Sequence, residues 1–98
     1  MEITVIVMQG NADRIHRAWK EELLPVAAPK AAEYGWRRSL LAAAGDEVVV
    51  VNVWDDTSGL DRAFADADID RVQREALVPL ASAPPEVRRL EVKEDLSF

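Results

Sequence analysis

The stretch EVVVVNVW, residues Glu47 to Trp54, decides how this chain folds. Its β-branched residues favour a pleated strand. Successive strand side chains point to opposite faces, so Val48, Val50, Asn52 and Trp54 share one face and Val49, Val51 and Val53 the other. A sheet face left to water normally carries polar residues at alternate positions. Here both faces are apolar, and each needs a cover.

Outward from that strand, Gly45-Asp46 turns the chain back to a strand over Trp36 to Ala42, which predicts a hairpin. Glu2 to Gln9, rich in Ile, Val and Thr, reads as a first strand closed by Gly10-Asn11. Asn11 is a good N-cap for a helix whose apolar face holds Ile15, Trp19 and Leu23. Pro25 lacks an N–H and is expected to end or kink that helix near Leu24, with Val26 to Ala32 a further turn or irregular chain. Downstream, Asp55-Asp56-Thr57-Ser58 supplies turn and capping chemistry for a short helix with Leu60, Ala63 and Phe64. Ile69, Val72, Gln73, Ala76, Leu77 and Leu80 trace a second helical stripe. Pro84-Pro85 stops it, and Glu86 to Val92 reads as the last strand. No internal repeat or linker stands out.

The order β-α-β-β-α-β predicts an α+β, ferredoxin-like domain over residues 1–98, with both helices on one face of a four-stranded antiparallel sheet. The helices can cover only one valine face. No third layer remains, so a second copy is the simplest cover for the other, giving a homodimer of the dimeric α+β barrel kind. The competing cover is the tail with Leu96 and Phe98, but the six residues from Lys93 are too few to span a sheet.

Composition narrows the function. The net charge is −6, and the basic pairs Arg37-Arg38 and Arg88-Arg89 sit in strands where neighbours point apart, so nucleic acid is not an expected partner. The absence of cysteine excludes disulfides and thiolate metal sites and fits a cytoplasmic location. No apolar run approaches the roughly 18 residues of a membrane span, and Met1 leads straight into strand sequence without a signal-peptide pattern.

Three segments carry a resemblance: VVVVNVW at Val48–Trp54, LDRAFADADI at Leu60–Ile69 and PPEVRRLEV at Pro84–Val92. With the element order they resemble the antibiotic biosynthesis monooxygenase domain over nearly the whole chain. That resemblance implies oxidation of aromatic polyketides by O2 to quinones without flavin, metal or haem, the substrate phenolate supplying the electrons. It also implies a pocket lined by a strand Trp, an Asn four residues before it, a Tyr in the following helix and an Arg twenty residues after the Trp. Trp54 and Arg74 match at that spacing, whereas the Asn position holds Val50 and the Tyr position Leu60. The haem-degrading branch of the same fold finds no matching residues.

Each candidate has a plain structural alternative. Trp54 either packs in the core or walls a pocket, with its indole N–H free to donate. Asn52 among valines must be paired or face a ligand; Gln73 lies near the core face and could do either. Arg74 is a solvated flank residue or an oxyanion stabiliser. His16, the only histidine, is a boundary residue or the candidate base. Tyr34, Trp36 and Arg38 share one parity and are half-buried strand residues or the lining for a flat anionic ligand, joined by Leu60 and Phe64. The Asp run from Asp55 to Asp70 lacks calcium-loop spacing and reads as caps, so no metal site is expected. The expectation is a cofactor-free monooxygenase in natural-product biosynthesis, with catalytic His16, Asn52 and Arg74 and substrate-binding Trp54, Gln73, Tyr34, Trp36, Arg38, Leu60 and Phe64. A cyclase or isomerase using the same cavity, and a non-catalytic small-molecule-binding dimer, are the alternatives.

Overall fold

A computed structural model describes residues 1–98. Four strands, β1 (Glu2–Gln9), β2 (Trp36–Ala44), β3 (Glu47–Trp54) and β4 (Glu86–Glu91), form an antiparallel sheet in the order β2-β3-β1-β4. The helical segments α1 (Ala12–Ala18), α2 (Leu24–Ala27), α3 (Ala31–Tyr34), α4 (Thr57–Phe64) and α5 (Ala67–Val72) join the strands. This is the predicted α+β, ferredoxin-like arrangement, with β3 lying between the two strands that the first helical region connects.

The two faces of β3 separate as the alternation requires. Val48, Val50, Asn52 and Trp54 are buried, while Val49, Val51 and Val53 are half-covered. Ile15 and Leu23 from the first helical region and Leu77 from the second close over Met8, Val48 and Val50. A second cluster, Trp54, Leu60 and Ala63, fixes α4 against the end of β3. In the C-terminal tail, Leu96 and Phe98 are exposed and do not act as a cover for the sheet.

Side-chain caps start the helices where the sequence predicts. Asn11 Oδ1 accepts from the Arg14 N–H at 3.0 Å, and Asp56 Oδ1 accepts from the Gly59 N–H at 2.8 Å. Gly59 is demanded by a close approach, because a Cβ there would stand 2.0 Å from the Tyr34 carbonyl oxygen. Of the alternatives expected at Pro25, the helix after Asn11 is distorted rather than ended, and Val26 to Ala32 form further helical turns. It passes through a π turn at Trp19–Leu23 into α2, a 3₁₀ turn at Ala28–Lys30 and α3, ending at Gly35 with φ 65°.

Pro25 explains the π turn. It has no N–H for the Glu21 carbonyl, and the helix widens so that the Leu24 N–H reaches Trp19 O. The same event recurs ahead of Pro79, where the Val78 N–H reaches Gln73 O across the π turn Gln73–Leu77. The segments Ile15–Ala27 and Ile69–Ala81 share Ile, Arg, Glu, Leu, Pro and Ala at matching places, an internal correspondence that inspection for repeats alone misses.

Candidate active site

Between the sheet and the helices lies a cavity of about 340 Å³, and 17 of its 22 lining residues are hydrophobic, so its few polar groups set the chemistry. Both π turns face it, contributing Trp19 and Leu23 from one and Gln73, Arg74 and Leu77 from the other. Widening a helix by one residue re-aims its side chains, which suits these turns to cavity walls.

Trp36 and Trp54 form one wall, their rings stacked with centroids 6.0 Å apart and planes 24° apart. Asn52 stands beside them, buried, and its Oδ1 accepts from Trp36 Nε1–H at 3.0 Å. An indole only donates, so the amide must present its oxygen to Trp36 and turn its NH2 away. That Nδ2 group has no protein partner, and the residue lines the cavity. Asn52 is thus half paired and half available, an oriented donor in an apolar space.

The other predicted residues divide. Tyr34, Trp36, Trp54, Phe64, Gln73 and Arg74 all line the cavity with Asn52. Trp54 differs from expectation in one respect: its indole N–H is not free but donates to Thr4 Oγ1, a fully buried hydroxyl, at 3.1 Å. Arg74 sits exposed at the rim, its Nε bonded to Asp70 Oδ2 at 2.8 Å.

Three expected residues stand elsewhere. His16 is exposed in a shallow surface groove with Asp13, Arg17, Lys20 and Glu21, because the stripe turns Ile15 inward and its neighbour outward. Arg38 points to the outer face of the sheet. A bulge between Trp36 and Arg38 breaks their shared parity and pairs Arg38 with Val53. Arg37, the extra residue, ion-pairs with Asp55 instead, its Nε donating at 2.9 Å to Oδ1. Leu60 is fully buried behind Trp54 and Ala63 and does not line the cavity.

Tyr34 ends α3 two residues before β2, and its hydroxyl donates to Asp66 Oδ2 at 2.6 Å. Asp66 also accepts from Lys30 Nζ at 2.8 Å and caps α5 through the Asp68 and Ile69 N–H groups. The Lys30 ammonium, then the Tyr34 hydroxyl and the Ile69 N–H, hold the Asp66 carboxyl far below the usual carboxylate range. The carboxylate in turn pushes Tyr34 up, so the phenol stays protonated. This cluster ties the first helical region to the start of α5 at one edge of the cavity.

Asp70 is the polar lining group that sequence reasoning missed. It is one of several Asp residues in a capping region, and only its position one turn before Arg74, on the face carrying Ile69 and Gln73, could have marked it. No cluster of three or more His, Cys, Asp or Glu side chains is placed to hold a metal ion. No helix is long and apolar enough to cross a membrane.

No family model and no curated protein matches the sequence. Solved structures do match along its whole length. The monooxygenase ActVA-Orf6 of Streptomyces coelicolor, in complex with nanaomycin D, is 17% identical, with 99% of this chain and 91% of that chain covered and a TM-score of 0.72. A variant of SnoaB, a cofactor-independent oxygenase from Streptomyces nogalater, is 20% identical, with 99% and 98% covered and a TM-score of 0.69. A dimeric ferredoxin-like protein from an uncultured marine organism is 11% identical, with 99% and 98% covered and a TM-score of 0.77. The chain therefore has the ferredoxin-like α+β fold seen repeatedly among structures described as antibiotic biosynthesis monooxygenases.

Proposed function

We propose that the protein is a small-molecule tailoring enzyme that oxygenates a flat, phenolic, polycyclic or polyketide-like compound with O2 and no cofactor, in natural-product biosynthesis. The observation that carries this reading is Asn52: an amide whose oxygen is taken by Trp36, leaving Nδ2 as a donor in an apolar cavity walled by stacked indoles. A planar ligand would lie against the Trp36–Trp54 wall, and its ring oxygen would accept from Nδ2. A donor fixed in a water-poor cavity favours the oxyanion over the neutral phenol, which is the form that yields electrons to O2. Conversion of a phenol to a quinone consumes one O2, keeps one oxygen atom on the ring and releases the other as water. The fold neighbours described as a monooxygenase and as a cofactor-independent oxygenase support the assignment.

Gln73 would bind the ligand further toward the mouth, and Arg74 would supply positive charge at the rim. Tyr34 and Phe64 would bound the ligand at the cavity edge. The outer face of β1 and β3 supports a homodimer. Ile3, Val5, Val7, Val49, Val51 and Val53 line up as an apolar outer face whose side chains are only part-buried in the single chain, and a protein of the same fold is dimeric.

A cyclase or isomerase is the second reading. It is favoured by Val50 and the buried Leu60 standing where the resemblance implies Asn and Tyr. The purified protein should be colourless and should oxidise hydroxylated polycyclic probes in air, each product heavier than its substrate as oxygen uptake requires. Full activity without O2, with product mass equal to substrate mass, would overturn the oxygenase reading and favour the second.

A further inference from the structure

Three titratable side chains line the cavity: Tyr34, Asp70 and Arg74. Arg74 is permanently cationic. Tyr34 is held as a neutral phenol with its proton committed to Asp66. Asp70 is the only carboxylate among the lining residues. Its Oδ2 is held by Arg74 Nε at 2.8 Å, while Oδ1 has no protein partner. The carboxylate is about half exposed at the rim, with a side-chain exposure of 52%, whereas Asn52 is buried at 8%. The cavity thus has a buried donor and a part-exposed acceptor among its lining groups.

We infer that Asp70 is the general base of this cavity, acting on a ligand whose oxygen is held by Asn52 at the opposite edge. The inference rests on the proposed oxygenase reading and supplies its deprotonation step. The acidic C–H or O–H bond at the ligand's outer edge breaks, and its proton forms an O–H bond on Asp70 Oδ1. The electron pair passes through the conjugated rings to the oxygen that accepts from Asn52 Nδ2. Arg74 is a positioning residue, keeping the carboxylate aimed through Oδ2. The partial exposure of Asp70 lets it return the proton to water, so one carboxylate serves repeated turnovers. A carboxylate can serve as the base for a carbon acid when preorganised donors hold the developing oxyanion.

Anthrone, with a carbonyl and an acidic methylene on opposite edges of its central ring, is a suitable probe. Deprotonation is read without oxidation by following exchange of the methylene hydrogens for deuterium by NMR under anaerobic conditions. Binding is read separately from quenching of tryptophan fluorescence. The wild-type protein should accelerate exchange. Asp70→Asn should slow it by about 100-fold or more, the usual share of a general base, with anthrone still bound, and Asp70→Glu should recover part of the rate. Asp70→Asn exchanging at the wild-type rate while binding anthrone would overturn the inference. Wild-type protein that binds anthrone without accelerating exchange would also overturn it, leaving the oxygenase reading to its own product test. If anthrone does not bind, the cavity reading falls and this inference with it.

Discussion

Replacing Trp36 by Phe keeps most of an aromatic wall and removes one proton donor, so it isolates the Trp36–Asn52 hydrogen bond at 3.0 Å. The Asn52 oxygen would then be buried without a partner, since no other donor reaches it. Leaving a buried acceptor unsatisfied costs about 1–3 kcal/mol, more than the net worth of an ordinary hydrogen bond. For a domain of this size, a loss of ~2 kcal/mol lowers Tm by roughly 8–16 °C. Asn52→Leu should also destabilise, because it strands the indole N–H. The double variant should cost less than the sum of the two, since both polar partners are then gone; the coupling should be about 1–2 kcal/mol. The assay is urea denaturation of the four proteins at one fixed protein concentration, because any dimerisation makes apparent stability depend on it. Strict additivity would refute the pairing, and with it the argument that the bond orients Nδ2 toward the ligand. Trp36→Phe should also weaken binding of a phenolic probe, because a freed amide no longer presents its NH2 in one direction.

Other outcomes follow from single observations. Ser39 Oγ is buried without a hydrogen-bond partner, so Ser39→Ala should be neutral or stabilising by up to about 1 kcal/mol in the urea midpoint; a clear destabilisation would reveal a partner for that hydroxyl. The Asp66 carboxyl is lowered by Lys30 first and then Tyr34, so its contribution is complete above the unfolded Asp pKa of about 3.9 and is lost as pH falls toward its folded value. Asp66→Asn should therefore be less stable than wild type at neutral pH and converge with it in acid; a constant gap across pH would contradict the account. Val51→Lys places a charge on the outer sheet face opposite Val5, and light scattering should report a monomer where the wild type reports a dimer. Monomeric wild-type protein would remove the need for that cover.

The fold was legible because β3 states its own requirements. A strand apolar on both faces, placed after a hairpin turn and before a capped helix, leaves few arrangements that bury it. The candidate site was legible where it depended on that alternation, as for Asn52, Trp54 and the helical Gln73. It was illegible where one residue changes the phase. The bulge between Trp36 and Arg38 sends Arg38 to the wrong face for a pocket, and no propensity marks it. The π turns ahead of Pro25 and Pro79 shift which residues meet the cavity, and a proline in the sequence marks a break or kink without specifying a widened turn. His16 illustrates a different limit: its chemistry invited a role, but one step along a helix carries it about 100° from Ile15. Asp70 illustrates the converse, since its role depends on which of several equivalent carboxylates the cavity reaches.

The central claim is that this cavity oxygenates a flat phenolic compound without a cofactor. Mass spectrometry of products formed by metal- and flavin-free protein from hydroxylated polycyclic probes under isotopically labelled O2 tests it most directly. The account predicts a quinone carrying one labelled oxygen atom, and loss of that product when Asn52 is replaced by Ala. Products of unchanged mass, formed equally well without O2, would contradict it.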